Sequence, residues 1–304
     1  MKEQAAGRSG GMSWRNKLIN PVLNKEFKLR MRSPRAMWTL FFYLFAIGLM
    51  ALSAIYLTQL NSRGSQGFNP EESKLLFYFL SMAQLGLIAF MAPGLTAGVI
   101  SGEREKQTLN LLLTTQQSSA TIVLSKLVSS LSFMILIVIA TIPVYSMMFL
   151  YGGISPKQLF LIFLFYLFIM VVLGSFGILF SSLFKRTMIS VIVSYGVTLF
   201  IFGGTAILFF VLVGMMSQAA TQPIANTYSW IGHVIAWNPV AALYSILEPS
   251  ISEQAFTVNM GNSSVKRAPI ELWQEFMIIY SVLSGLSLWL AIRKLRPSLK
   301  RRGM

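Results

Sequence analysis

Several residue types on which catalytic and metal sites depend are missing or scarce in this chain. It contains no Cys and no Asp, its ten acidic residues are all Glu, and His233 is its one His. A Ser-His-Asp triad, an EF-hand loop and a cysteine-ligated zinc site are therefore excluded by residue supply. The motifs G-x-x-x-x-G-K-S/T and G-x-G-x-x-G are also absent, which excludes the phosphate-binding loops that they form. We expect no catalytic, cofactor or metal site in this chain.

Charged residues are scarce as well. They make up 12% of the 304 positions and hydrophobic residues 55%, whereas roughly a quarter of a soluble domain is charged. Long apolar runs take up most of the chain, and each reaches the roughly 20 residues that a helix needs to cross a bilayer. They lie near residues 38–58, 75–100, 127–150, 159–184, 188–216 and 272–292. The sequence predicts an all-α integral membrane protein, one domain whose six transmembrane helices form a bundle over residues 38–292.

The apolar runs contain almost no ionisable side chains. No Lys, Arg or Glu lies within the first five, and Glu275 lies near the start of the sixth. Carriers driven by protons or ions need such groups inside the membrane. Their absence favours an energy source outside the membrane. Gln84 is the most polar residue of these runs, and we expect it to form a helix–helix hydrogen bond.

The basic residues predict the orientation of the chain. With the N-terminus inside, 20 of the 25 Lys and Arg residues lie on the cytoplasmic side and five on the outer side. This asymmetry predicts a multi-pass protein of the plasma or inner membrane with both termini cytoplasmic. Residues 1–12 are expected to be disordered and residues 293–304 to form a basic cytoplasmic tail. Because the cations flank apolar runs, we expect no nucleic-acid partner.

One further apolar segment, Trp230 to Leu247, is interrupted by Asn238-Pro239. Each half is too short to cross a bilayer, and a proline breaks a helix interior. We expect a re-entrant or interfacial hairpin on the outer side, before the last helix. Elsewhere, Gly94 and Gly98 form a G-x-x-x-G pair next to Pro93, which indicates close helix packing or, alternatively, a hinge.

Two segments outside the apolar runs have the pattern of short amphipathic helices. The first, residues 13–35, is predicted to be an interfacial connecting helix that touches a cytoplasmic partner; the alternative is a basic topology signal. Its candidate contact residues are Leu23, Lys25, Glu26, Phe27 and Arg30. The second lies in the loop 101–119, where a charged cluster precedes leucines at helical spacing. Its candidate residues are Glu103, Arg104, Glu105, Lys106, Leu109, Leu112 and Leu113. This pattern predicts a cytoplasmic coupling helix that docks into another protein, or else a solvated turn.

The string GEREKQTLNLLLTT resembles a signature of the permease subunits of type-2 ATP-binding-cassette (ABC) exporters. NPVLNKEFKLRMRS resembles the N-terminal segment of the same proteins. The resemblance implies that the connecting helix and the loop after the second span contact a separate ABC ATPase, which would hold ATP and Mg. It also implies that a second permease copy or a paralogue completes the path. The chain departs from the signature at Gln107, Asn110 and Gln116, where Gly, Glu and Pro are usual.

These observations favour a membrane-spanning permease that exports a hydrophobic or amphipathic substrate and takes its energy from a partner ATPase. Membrane lipid is the other expected partner. The alternative is a non-transporting scaffold or sensor, which would have the same spans but need no ATPase. A membrane enzyme ranks third, since the chain has no Asp and a single His.

Overall fold

The computed structural model describes residues 34–61, 70–108, 118–150, 154–219, 230–256 and 270–295. Within these ranges the chain is helical and has no strand. The helices are α1 Pro34–Asn61, α2 Pro70–Thr96, α3 Ser101–Glu105, α4 Ser119–Ala140, α5 Ile142–Leu150, α6 Pro156–Leu183, α7 Thr187–Leu199, a π-helix Phe200–Gly204, α8 Thr205–Ala219, α9 Ile231–Ile235, α10 Pro239–Leu247, α11 Ser250–Phe256 and α12 Leu272–Leu295.

Six helical stretches among the described residues are long and apolar enough to cross a membrane, which confirms the predicted number. They are Met37–Tyr56, Ser73–Glu105, Ser119–Met147, Pro156–Leu183, Thr187–Met216 and Leu272–Leu295. The chain is therefore a multi-pass membrane protein.

The third stretch begins eight residues before its apolar run. Ser118 caps the helix there, because its hydroxyl accepts a hydrogen bond from the amide of Thr121. Lys126 consequently lies inside α4 and is 3% exposed, and the second stretch extends to Glu105. Several of the helices that contain the first five apolar runs therefore carry ionisable side chains beyond the ends of those runs, although the runs themselves carry none. The helices continue beyond the apolar residues by which the spans were located.

α6 is the central helix. It begins at a capping box, in which Ser155 and Gln158 exchange hydrogen bonds with each other's backbone. Its apolar surface packs against α12, α2, α7 and α4. Half of the residues in its most apolar part are buried within the chain, compared with 11% of those in the most apolar part of the fifth stretch. The fifth stretch therefore lies at the periphery, where its apolar side chains face lipid or another chain.

The interrupted segment forms two short helices, α9 and α10, which we call the hairpin. Asn238 starts α10 by accepting hydrogen bonds from the amides of Val240 and Ala241. Neither helix is long enough to cross a bilayer, so a position in or on the membrane surface stays a prediction. The hairpin packs on the start of α2, where Lys74 is 3.0 Å from Glu248 and the hydroxyl of Tyr78 donates to the carbonyl of Leu247.

α2 extends between two ends of the molecule that carry different features. Its 27 residues span about 40 Å at 1.5 Å per residue. The hairpin lies at the Lys74 end, and residues 101–108 follow the other, which we call the loop end. Between them, the amide of Gln84 donates to the hydroxyl of Thr141 at 3.2 Å. This confirms the predicted helix–helix hydrogen bond, made at the break between α4 and α5.

Candidate functional site at the loop end

Residues 101–108 form a compact charged segment, here called the coupling segment. A turn at residues 97–100 leads from α2 into α3. The hydroxyl of Ser181, near the end of α6, accepts hydrogen bonds from the amides of Ile100 and Ser101 at 2.8 and 2.9 Å. Ser190 of α7 donates to the carbonyl of Ala97 at 2.6 Å. The turn 97–100 and the first residue of the segment are thus bound to two other helices.

Glu103 joins the segment to α4. Its carboxylate lies 2.5 Å from the ammonium of Lys126, whose side chain is 4% exposed. An ammonium this deeply buried needs a nearby anion, because removing it from water costs several kcal/mol. Glu103 supplies that charge from 23 residues earlier in the sequence.

Arg104 binds the C-terminal end of α6, and Glu105 binds the N-terminal end of α7. The guanidinium of Arg104 donates to the carbonyls of Ser182 and Phe184 at 3.2 and 3.3 Å, where α6 ends with unpaired carbonyls. The carboxylate of Glu105 accepts from the amide and the hydroxyl of Thr187 at 2.8 and 2.7 Å. Glu105 thereby caps the start of α7.

The segment ends in an exposed cation and a left-handed residue. Lys106 is exposed and forms no ion pair within the described residues. Gln107 has φ 58°, a conformation that glycine adopts without cost. Position 107 is where the resemblance noted above expects Gly, and the turn geometry explains that preference.

Three of the four charged residues predicted to face a partner therefore bind within the chain. Of these four, Glu105 and Lys106 are exposed, and Lys106 forms no ion pair within the described ranges. Sequence reasoning missed these contacts because Lys126, Ser182 and Thr187 lie 23 to 82 residues away. A run of alternating charges indicates an exposed surface when only residues close in the sequence are considered as partners.

The glycine pair faces α7. A Cβ atom on Gly94 would lie 2.9 Å from the hydroxyl of Tyr195, and one on Gly98 would lie 3.1 Å from the methyl group of Thr187. Both glycines thus permit the close approach of α7 to α2. Pro93 lies inside α2, which continues to Thr96. A role in hinge motion stays a prediction.

Several predicted residues lie outside the described part of the chain. They are the connecting-helix residues Leu23, Lys25, Glu26, Phe27 and Arg30, and the coupling-helix leucines Leu109, Leu112 and Leu113. The predicted roles of these residues stay predictions.

At the hairpin end, His233 of α9 meets Glu275 of α12, with Nδ1 2.8 and 2.9 Å from the two carboxylate oxygens. Sequence reasoning missed this pair, whose members lie 42 residues apart. No group of three or more His, Cys, Asp or Glu that could hold a metal occurs in the ranges that the structure describes.

The six apolar helices found in the described ranges define a multi-pass membrane protein. The model of the ABC-2 family transporter proteins matches residues 20–284, and the chain belongs to that family. It is accordingly a membrane permease of an ABC transporter. Such permeases are not themselves catalytic, and in general they pair with another permease and work with an ABC ATPase. A comparison with curated proteins finds no match.

Proposed function

We propose that this permease exports a hydrophobic or amphipathic substrate across the plasma or inner membrane. A separate cytoplasmic ATPase, which holds ATP and Mg, supplies the energy by binding the loop end. The observation that carries this proposal is the set of contacts made by the coupling segment. Glu103 binds α4, Arg104 binds the end of α6, and Glu105 binds the start of α7.

These contacts suit a segment that transmits movement. A push on residues 101–108 acts on three helices besides α2, because charge-assisted hydrogen bonds connect the segment to each of them. A partner can drive a change of state only if it contacts the two states differently. A segment fixed to several helices moves whenever those helices rearrange, so a protein bound to it senses the rearrangement.

The docking surface would comprise the exposed part of the loop. Lys106 is exposed, and Leu109, Leu112 and Leu113 follow at helical spacing. The connecting helix, residues 13–35, would add a second contact on the same side of the membrane. The excess of Lys and Arg beside the loop end and in both termini supports a cytoplasmic position for this side.

The peripheral spans support pairing with a second permease copy or a paralogue. Only 11% of the residues in the most apolar part of the fifth stretch are buried within the chain, and only 22% of those in the corresponding part of the first stretch. Their exposed apolar side chains are available to a second permease and to lipid. A path between two such surfaces would be lined by apolar groups, which suits a hydrophobic or amphipathic substrate.

The test is to purify the tagged chain from its native membrane and to measure the associated ATPase. Replacing Lys106 by Glu, and Leu109 and Leu112 by Ser, should leave membrane abundance unchanged and remove the ATPase. A reversed charge at a desolvated interface costs on the order of 2 kcal/mol, or about 30-fold in affinity. Each lost leucine contact costs roughly 1.5 to 3 kcal/mol if it was fully buried.

Lys185→Glu is the matched control. Lys185 is also an exposed cation at the loop end but lies outside the coupling segment, so this variant should retain the ATPase. If all these variants retain the ATPase, the loop is only a turn. If no ATPase accompanies the unaltered chain, the scaffold or sensor alternative is favoured over export.

A further inference from the structure

The fifth membrane stretch contains an irregular turn at its middle. Residues Phe200–Gly204 form a π-helix between α7 and α8. A π-helical turn disrupts the regular hydrogen-bond ladder of an α-helix and is a common site of kinks. Within the described residues, a Cβ placed on Gly203 would meet no atom within 4 Å other than those of its chain neighbours and of the adjacent helix backbone. Space does not require glycine there, whereas a flexible turn benefits from one.

The side chain of Asn238 joins this turn to the hairpin. Its amide nitrogen donates to the carbonyl of Phe202 at 2.7 Å and to the hydroxyl of Thr205 at 2.9 Å. Its amide oxygen accepts from Val240 and Ala241 at the start of α10. Asn238 is 2% exposed, so water does not compete for these bonds. One side chain thus satisfies a carbonyl of the π-helix and caps the hairpin helix.

The two halves of the stretch pack against different parts of the molecule. α7 packs on α6, α2 and α3, whereas α8 makes its largest tertiary contact with α9 of the hairpin. α7 is further bound by Glu105 at Thr187 and by the hydrogen bond from Tyr195 to the carbonyl of Phe90. The π-helix therefore lies at the boundary between a half attached to the coupling segment and a half attached to the hairpin. Hinges lie at such boundaries.

We propose that the π-helix Phe200–Gly204 is a hinge and that Asn238 is the positioning residue that fixes its angle. In this arrangement, movement of the coupling segment shifts α7 through Glu105, and Asn238 passes the change to the hairpin. The transmission of movement rests on the proposed function, in which a bound ATPase moves the coupling segment. The hinge itself is a property of this chain alone.

The hinge is tested by spin-label distances in the full-length chain. Since the chain has no Cys, labels can be placed at introduced cysteines only. One pair joins exposed Val128 of α4 to exposed Met215 of α8, and a reference pair joins Val128 to exposed Ile192 of α7. Asn238→Ser retains an oxygen that can cap α10 but loses the amide donors. Thr205→Val removes one of their two acceptors.

Asn238→Ser should shift or broaden the Val128–Met215 distance by about 5 Å, because a kink of about 20° displaces a point 15 Å away by that amount. Thr205→Val should produce a smaller change in the same direction. The Val128–Ile192 distance should stay unchanged in both variants. Ser155→Ala, which removes the cap of α6, is the control for general loss of helix capping and should change neither pair. An unaltered Val128–Met215 distance in Asn238→Ser would overturn the hinge.

Transmission is tested by adding ATP to the complex with its ATPase. The Val128–Met215 distance should then respond in the unaltered chain and lose that response in Asn238→Ser. No response to ATP in an assembled, ATP-hydrolysing complex would overturn the transmission. Failure of any ATPase to assemble with the chain would instead overturn the proposed function, and the hinge result on the isolated chain would stand.

Discussion

At the scale of the residue, Gln107 has a backbone conformation that its own side chain disfavours. Its φ of 58° lies in the left-handed region, which costs a residue with a Cβ atom roughly 1 to 2 kcal/mol. Gln107 lies directly after the segment in which Glu103, Arg104 and Glu105 bind α4, α6 and α7. The coupling segment therefore retains these contacts despite an unfavourable residue at its end.

We predict that Gln107→Gly stabilises the protein. The gain should be about 1 kcal/mol, since glycine removes the left-handed strain but adds some chain entropy in the unfolded state. Thermal unfolding in detergent would show a raised midpoint. Lys106→Gly is the control, because Lys106 has φ −77° and glycine there should lower the midpoint. A lowered midpoint for Gln107→Gly would show that the side chain of Gln107 contributes more than its backbone costs.

At the scale of the element, α3 and α4 are connected by the Glu103–Lys126 pair. Glu103→Lys places a second cation beside a buried ammonium, and we expect it to destabilise the protein by about 3 kcal/mol. Lys126→Glu alone should be similarly harmful. The double variant restores opposite charges and should recover at least half of the loss in unfolding midpoint. Additive losses in the double variant would mean that the two side chains do not interact.

The hairpin is connected to α2 by a second ion pair. The hydrogen bond from Lys74 holds the pKa of Glu248 below its ordinary value of 4.5. A carboxyl whose pKa is lowered by folding stabilises the protein above its unfolded pKa and loses that effect as the pH falls through its folded pKa. The pair is partly exposed and should contribute about 0.5 kcal/mol.

Stability should therefore decline as the pH is lowered from 6 through 4 and below. Glu248→Gln should lower stability slightly at pH 6 and make the decline shallower. Glu253→Gln, in the neighbouring helix α11, serves as the control for a lost carboxylate. Equal pH dependence in Glu248→Gln and the unaltered chain would contradict the role of the pair.

Some of these elements could be predicted from the sequence and others could not. The six membrane helices were predictable because apolar length alone determines them, and the hairpin was located by Asn238-Pro239. The start of α4 was missed because the cap at Ser118 lies in a polar stretch that hydropathy ignores. The uses of Glu103, Arg104 and Glu105 were missed because their partners come from distant parts of the chain. The π-helix has no local pattern in the sequence, and Asn238, which donates to it, is 36 residues from Phe202.

At the scale of the whole molecule, a buried central helix and a peripheral membrane stretch make different contacts. α6 forms a central support for α2, α4, α7 and α12. The coupling segment binds around the end of this support, and the fifth stretch runs along its outside from the loop end to the hairpin. Family membership assigns the whole to the membrane part of an ABC transporter.

We propose above that this permease works with the energy of a separate ATPase bound at the loop end. The most direct measurement is ATP hydrolysis by the tagged chain purified from its native membrane, before and after every accompanying protein is removed. We expect turnover in the complex, none in the isolated chain, and loss of turnover from preparations of Lys106→Glu with Leu109→Ser and Leu112→Ser. Turnover that persists in the isolated chain would show that the energy does not come from a separate ATPase.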